Sequence, residues 1–399
     1  MKNRGTHSLS AEQDLILAAL RFLCIPESSA RQKIHTLLQK QEMDWDQMLA
    51  VAERHRVSAF LAYAFEKAQL FECLTVSIQG FLKSAMAQAA VENLAKMMEF
   101  KKYSALFAEQ NIPVIPLKGI ALTHLIYEEM PVRRMGDIDI FFRETDLERV
   151  RTLLKSLGFC QTAYANVWHT AIASRLIGRE SYVKKGLDID VQWHPRFYIC
   201  GDYVVWNSEQ AWRYSQSCPF LGTTVHLFLP LQQAQYLLLQ IANDFNSAGF
   251  LLVQLFDLAM VIKKFNLDKD KLFQGVSGEL KPNVSRQIEE LLQAVLETFL
   301  NPHATQTFSI VTLKILQAVF ESGMSAQNNW GGTSIIRAPL SRQDKVAFFL
   351  GYFSPDPNYI QQKYGQGFIA ILRGFCGHWI RLMSKALRFL LRGMGYREP

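Results

Sequence analysis

Two short segments in which aspartates alternate with apolar residues dictate that part of this chain forms a sheet. Asp137, Ile138 and Asp139 open the first segment, 137–142, and a similar alternation returns in residues 187–194. Because successive side chains of a strand point to opposite faces, each segment predicts a strand with acids on one face and apolar residues in a core. At about 3.3 Å per residue, the first two carboxylates start roughly 7 Å apart.

Helical patterns predominate on both sides of these strands. Residues 9–100 contain several segments with the apolar periodicity of amphipathic helices, and Ser10 and Gln13 occupy the positions of a capping box. Residues 227–320 contain further strongly apolar repeats, whereas residues 111–194 alternate in the order β-α-β-α-(β)-β. With 49% hydrophobic and 20% charged residues, the composition is that of a folded globular protein and excludes a mostly disordered chain. The sequence therefore predicts an α+β fold.

The acidic strands carry the residue types that bind hard cations. Two carboxylates on one face suit Mg²⁺, which prefers oxygen ligands, and in two-metal phosphoryl chemistry the ions lie roughly 4 Å apart. The second strand offers a third acid, since Asp188 and Asp190 share a face with Gln192 and His194. If the two strands are neighbours, either aspartate completes a triad. A solvated edge strand is the structural alternative for such acids.

A turn from strand to helix precedes the first acidic strand. Residues 112–119 form a short apolar run that predicts a buried strand ending at Gly119, and a helix follows. Glycine permits close approach of a phosphate, the helix N-terminus supplies N–H groups, and Lys118 adds positive charge. Arg133 and Arg134 lie just before the acids and either contact phosphates or belong to a solvated turn.

The motifs in this region resemble a known family. The segments LKGIAL, LIY and R-x-x-DIDI, followed by LLKSLGF and IDVQWH, are similar to uncharacterised bacterial nucleotidyltransferases of the DNA polymerase β-type superfamily. The resemblance implies a small mixed β-sheet core flanked by helical N-terminal and C-terminal regions. It also implies Mg²⁺-dependent transfer of a nucleoside monophosphate from an NTP to a hydroxyl acceptor, with release of pyrophosphate.

The resemblance assigns roles to individual positions. It makes Asp137, Asp139 and Asp190 the catalytic acids and the ligands of two Mg²⁺ ions, with Asp190 assisting the attacking hydroxyl. The expected nucleotide-binding residues are Lys118, Gly119, Arg133 and Arg134. One position departs from the family pattern, because Gly119 is followed by isoleucine where the superfamily usually has a glycine or a serine.

Four regions are expected along the chain. They are a helical N-terminal region over 1–100, a nucleotidyltransferase core over 101–226, a helical region packed on the core over 227–320, and a loop with a basic amphipathic helical region over 321–399.

Most of the net charge of +7 lies near the C-terminus, since residues 358–399 contain seven lysines and arginines and one acid. Helical spacing places several basic residues in one stripe: His378, Arg381, Lys385, Arg388 and Arg392. Such a stripe beside an apolar face is typical of a helix lying on an anionic membrane surface. A packed helix with a solvated basic face is the alternative, and binding of nucleic acid is less favoured.

The remaining features indicate a cytoplasmic protein, with peripheral membrane association as an option. The six cysteines lack CxxC spacing and are expected to be reduced core thiols. We expect neither a secretory signal peptide nor a membrane-spanning segment. Two functions therefore remain open: an active nucleotidyltransferase, or a catalytically weak nucleotide-binding or scaffold protein at the membrane surface. A metal-dependent phosphohydrolase is disfavoured because the histidine nearest in sequence to Asp137 is His124, on the preceding helix.

Overall fold

A computed structural model describes most of the chain. The described ranges are 9–39, 43–127, 132–162, 176–245, 249–277, 280–301 and 308–322, with residues 172 and 174 and scattered positions between 341 and 383. The basic stripe expected from residue 378 to residue 392 lies outside the described residues, as does most of the loop expected after residue 321.

Helices form most of the described chain. They are α1 Ala11–Cys24, α2 Ser28–Leu38, α3 Trp45–Arg54, α4 Ser58–Lys67, α5 Val76–Glu109, α6 Lys118–Leu125, α7 Leu147–Ser156, α8 Ser208–Arg213, α9 Pro230–Asp244, α10 Leu252–Lys264, α11 Lys269–Ser277, α12 Pro282–Val295 and α13 Ile310–Glu321. The capping box predicted for α1 is present, because Ser10 and Gln13 exchange side-chain and backbone hydrogen bonds. Among the described residues, no helix is long and apolar enough to cross a membrane.

In the described part of the chain, nine strands lie in three sheets. They are β1 Ile115–Pro116, β2 Ile138–Phe141, β3 Cys160–Gln161, β4 Arg179–Lys184, β5 Leu187–Gln192, β6 Arg196–Ile199, β7 Asp202–Val205, β8 Ser215–Phe220 and β9 Thr223–Phe228. The main sheet has the order β1-β2-β5-β4-β3. Only β2 and β5 run parallel in it, and the other neighbours are antiparallel. The predicted α+β fold with a small mixed sheet and helical flanks is therefore confirmed.

The hydrophobic residues form two cores. In the larger one, helices from both ends of the chain pack together, and the Phe60 ring of α4 contacts Tyr127 and Phe256 at centroid distances of 5.4 and 4.9 Å. The smaller core lies under the main sheet, where Ile138 and Ile189 are fully buried. The apolar residues of both acidic strands thus point into a core, as the alternation predicts.

Two details differ from the sequence expectations. Residues 196–228 form two hairpins, β6–β7 and β8–β9, which the sequence pattern did not indicate because their apolar residues do not alternate cleanly. The six cysteines are free; Cys24 is buried and Cys218 packs, partly buried, against the smaller core, but the other four are exposed, and the expectation of core thiols is wrong for them. Cys73, Cys160 and Cys200 are exposed because they lie in a short 3₁₀ turn, at a sheet edge and in a hairpin turn.

Candidate functional site

The pairing of β2 with β5 brings the predicted acids together. Asp139 and Asp190 are direct Cα partners, and Asp137 lies one residue before β2. One carboxylate oxygen from each of the three lies within 4.8 Å of the others. Asp188 is exposed, and its Cα partner is Val183 on β4, so the geometry groups Asp190 rather than Asp188 with the other two acids.

Burial makes it unfavourable for all three carboxylates of this cluster to be charged at once. Asp139 is only 2% exposed and Asp190 only 8%. Burial raises the pKa of Asp139 to about 7, Lys118 opposes this rise, and the charges of Asp137 and Asp190 add to it. A cation placed among these carboxylates would relieve their repulsion.

Each carboxylate of the cluster has a basic residue near it. Lys118 Nζ lies 2.7 Å from Asp139 Oδ1, and Arg179 Nη1 of β4 lies 3.5 Å from Asp190 Oδ2. Burial favours a raised pKa for Asp137, but the charges of Lys118, Arg56 and Arg179 outweigh burial and lower it. Burial likewise disfavours charge on Lys118, yet Asp139 raises the pKa of that lysine well above its usual range.

Neighbouring side chains hold two of the acids in place. Gln192 Nε2 donates to Asp139 Oδ1 at 3.0 Å, and the hydroxyl of Tyr236 on α9 donates to Gln192 Oε1 at 2.8 Å. On the other side, Ser181 Oγ of β4 donates to Asp190 Oδ1 at 2.5 Å. These contacts fix one oxygen of each carboxylate, which is how preorganised sites are built.

The turn before α6 differs in detail from the expectation. Lys118 takes the left-handed conformation, with a φ of 44°, while Gly119 lies inside the helix. A Cβ added to Gly119 would lie 2.8 Å from Met135 Cγ and 2.9 Å from Arg133 Nη1. The close approach that glycine permits here is therefore made by the chain's own side chains, and contact with a phosphate stays a prediction.

Both predicted arginines are held in ion pairs. Arg133 is buried, and its Nε and Nη2 donate to the carboxylate of Asp257 on α10 at 2.6–3.1 Å. The Tyr127 hydroxyl donates to the same carboxylate at 2.8 Å. Arg134 is bonded to Glu92 on α5 and to Glu53 on α3. Their contacts connect the turn before β2 to the helices, and nucleotide binding by either arginine stays a prediction.

His194 does not join the acids as the strand pattern suggested. Strand β5 ends at Gln192, and the His194 ring contacts the Ser208 hydroxyl at the start of α8, with Nδ1 at 3.0 Å.

The donor set fits Mg²⁺. All three candidate ligands are carboxylates, the oxygen donors that this ion prefers. Opposite ligands of one Mg²⁺ lie ~4 Å apart because each metal–oxygen distance is ~2.1 Å, so carboxylate oxygens within 4.8 Å of one another need only small adjustments. Asp137, Asp139 and Asp190 would hold the ion.

Several residues near the acids were missed by sequence reasoning. Arg179 and Ser181 alternate along β4 and share a face, but nothing in the sequence shows that β4 lies beside β5. Arg56 follows α3, and a Cβ on Gly136 would lie 2.6 Å from its Nη1. Tyr236 comes from a helix after the sheet. Pairing between distant segments, which no local pattern encodes, brings all four to the site.

Comparison with protein families agrees with this geometry. Residues 41–280, more than half of the chain, match a family described as uncharacterised nucleotidyltransferase. The chain belongs to this family. The matched residues extend from α3 to α11 and contain the whole main sheet and the three clustered acids of this nucleotidyltransferase. Comparison with the curated proteins and with the solved structures gave no match.

Proposed function

We propose that this nucleotidyltransferase moves a nucleoside monophosphate from an NTP to a hydroxyl acceptor, depends on Mg²⁺ and releases pyrophosphate. The observation that carries the proposal is the pairing of Asp139 with Asp190, which gathers three carboxylates from two parallel strands. Family membership supports nucleotidyl transfer in general. The acid cluster supports a metal-dependent form of it.

The chain's residues account for the proton and charge balance of such a transfer. The acceptor oxygen forms a bond to the α-phosphorus, the bond from that phosphorus to the bridging oxygen of the β-phosphate breaks, and pyrophosphate leaves. Asp190 accepts the proton of the hydroxyl, and it already accepts a hydrogen bond from the Ser181 hydroxyl at 2.5 Å. A bound Mg²⁺ would neutralise phosphate charge and polarise the reacting phosphoryl group.

Basic residues around the cluster suit a triphosphate. Lys118 and Arg179 lie at 2.7 and 3.5 Å from the acids and are positioned to share their charge with phosphate oxygens. Asp137 and Asp139 face these cations from the start of β2, which lies beside the turn from β1 to α6, where the Leu117 N–H donates to the Asp139 carbonyl at 2.9 Å. The proposal therefore places the triphosphate between α6 and the start of β4.

The second candidate is a nucleotide-binding or scaffold protein with little catalysis, held at an anionic membrane by its basic C-terminal region. Two observations favour it: the isoleucine after Gly119, and the ion pairs that already hold Arg133 and Arg134. It differs from the first candidate in one respect that can be measured, because it binds NTP without releasing pyrophosphate.

Nucleotide binding and pyrophosphate release together test the proposal. The wild type is heated with each NTP, with and without Mg²⁺, beside Asp139→Asn and the matched control Asp188→Asn at the exposed start of β5. A ligand at 100 times its dissociation constant stabilises by about 2.7 kcal/mol, which raises the melting temperature visibly. We expect a Mg²⁺-dependent shift and pyrophosphate release in the wild type and in Asp188→Asn, with both lost in Asp139→Asn.

Other results would decide between the candidates. A shift without pyrophosphate release, measured with hydroxyl-bearing acceptors of several classes and with water, supports the binding protein. Release that persists in Asp139→Asn contradicts the proposed site.

A further inference from the structure

We propose that the ammonium group of Lys118 takes the place of one divalent cation, so that the three carboxylates hold a single Mg²⁺. The inference rests on the proposed function and deepens it, because the family resemblance implies two ions at this site. The number of ions depends on which carboxylate oxygens the chain's own side chains leave available for a metal.

The contacts of Asp139 carry the inference. Its Oδ1 accepts from Lys118 Nζ at 2.7 Å and from Gln192 Nε2 at 3.0 Å. Among the described residues, none donates to its Oδ2. An acid that bridges two cations needs an oxygen for each, and in this protein one of those oxygens is already bound to an ammonium group. Asp139 can therefore bridge Lys118 and one metal ion.

Asp190 has a similarly limited capacity for metal. Asp190 uses Oδ1 to accept the hydrogen bond of Ser181, and its Oδ2 lies 3.5 Å from Arg179. Asp137 lies at the end of the cluster nearest Arg56, whose charge acts on it. The Asp137 carboxylate and the second oxygens of Asp139 and Asp190 make a sufficient set for one Mg²⁺, which completes its six positions with water or phosphate oxygens.

The backbone holds Lys118 in this place. Its φ of 44° is uncommon for a residue with a side chain, and such conformations are strained. Lys118 is the first residue of α6, and Gly119, which adopts positive φ without cost, comes one position later. The strained residue is the one whose ammonium enters the acid cluster, and its side chain is only 20% exposed.

The charges are consistent with one ion. With the Lys118 ammonium and the Arg179 guanidinium beside the three carboxylates, one divalent ion already more than balances the negative charge, and a second divalent ion would add to that excess. Removing the lysine charge would therefore both free Asp139 Oδ1 and lower the positive charge that disfavours a second ion.

Counting bound Mn²⁺ tests the inference without any turnover. Mn²⁺ shares the oxygen preference of Mg²⁺ and is visible by electron paramagnetic resonance. The full chain is titrated without nucleotide, and ions that disappear in Asp139→Asn are assigned to the acid cluster. We expect one such ion in the wild type, one in the charge-conserving Lys118→Arg, and two in Lys118→Met, which keeps length and removes charge.

Every other count overturns the inference. Two ions or none in the wild type, equal counts in the wild type and Lys118→Met, or two ions in Lys118→Arg would show that the ammonium does not hold a cation position. If Lys118→Met does not fold, the count in the wild type alone decides.

Thermal melting gives a second reading. The metal-free Lys118→Met protein has an uncompensated buried carboxylate, so Mn²⁺ should raise its melting temperature more than that of the wild type, and an equal or smaller rise contradicts the inference. Absence of pyrophosphate release would contradict the proposed function and would leave these ion counts unaffected.

Discussion

Asp139 and Asp190 are neighbours across the only parallel pair of strands among those that the structure describes, and each lies on the face opposite to a buried isoleucine. Strand neighbours lie about 4.8 Å apart, so direct partners on one face bring their carboxylates together. A slip of one residue would place Ile189 beside Asp139 and turn the acid of β5 into the core. The hydrophobic core under the sheet thus fixes the register on which the site depends.

This register predicts unequal effects for the two aspartates of β5. Asp190→Asn should lower the rate of pyrophosphate release by about 100-fold or more, because it removes the proton acceptor and a metal ligand. Asp188→Asn, on an exposed carboxylate of the same strand, should keep the rate within a few-fold. Steady-state release with matched protein concentrations measures both variants. A larger loss in Asp188→Asn would mean that the other aspartate is the third acid.

The ion pair between Arg133 and Asp257 predicts a large effect on stability. Both side chains are buried, and Tyr127 bonds the same carboxylate. Asp257→Ala leaves the guanidinium buried without its partner and should cost about 3–5 kcal/mol in the free energy of unfolding. Urea denaturation at neutral pH measures this cost.

A double variant then separates structure from nucleotide binding at Arg133. Arg133→Met with Asp257→Leu replaces both charges by apolar groups and should recover most of the lost stability. A double variant that stays as unstable as Asp257→Ala would show that packing, rather than the unpaired charge, causes the loss. Its NTP-induced thermal shift reveals whether the arginine also contacts nucleotide.

Local patterns predicted the elements that carry the acids. Alternation in residues 137–142 and 187–194 gave β2 and β5 because one face of each strand carries apolar core residues and the other carries the acids. The helices of both flanks followed from their apolar periodicity. The hairpins between residues 196 and 228 gave no such signal. Each is a two-stranded sheet in which apolar and polar residues do not alternate cleanly between the two faces.

The partners of the acids could not be predicted from the sequence. Lys118 was recognisable because it lies beside the glycine of the turn. Arg179 and Ser181 reach Asp190 only because β4 pairs with β5, and Tyr236 reaches Gln192 from α9. Such contacts depend on the order of strands and the packing of helices, and short-range patterns contain neither.

Gly119 and Gly80 predict opposite effects of the same substitution. Gly119→Ala places a methyl group 2.8 Å from Met135 Cγ and 2.9 Å from Arg133 Nη1, so it should destabilise by about 1–3 kcal/mol. Gly80 lies in α5 with no atom within 4 Å of an added Cβ, and Gly80→Ala should stabilise by about 0.5–1 kcal/mol. Denaturant midpoints of the two variants measure this contrast, and a destabilised Gly80→Ala would contradict it.

A buried histidine outside the acid cluster predicts a loss of stability in acid. His55 is fully buried, its Nδ1 accepts the backbone N–H of Leu252 at 3.3 Å, and its Nε2 finds no partner among the described residues. Burial, reinforced by the charge of Arg54, lowers the pKa of His55 to about 4 from an ordinary value of 6.5. Between about pH 6.5 and pH 4, His55 therefore binds a proton in the unfolded chain but not in the folded chain.

The difference between the pKa of His55 in the unfolded and folded chains gives the sign and size of its effect on stability. The contribution of His55 is fully present above pH 6.5 and falls as the pH drops towards 4, by about 3 kcal/mol in total at 1.36 kcal/mol per pKa unit. His55→Gln keeps an acceptor for the Leu252 N–H and does not titrate. Subtracting the unfolding free energy of His55→Gln from that of the wild type at each pH cancels the contributions of the other titrating groups, which the two proteins share. The difference should decline in acid, and a constant difference between pH 7 and pH 4.5 would show that His55 is protonated equally in both states.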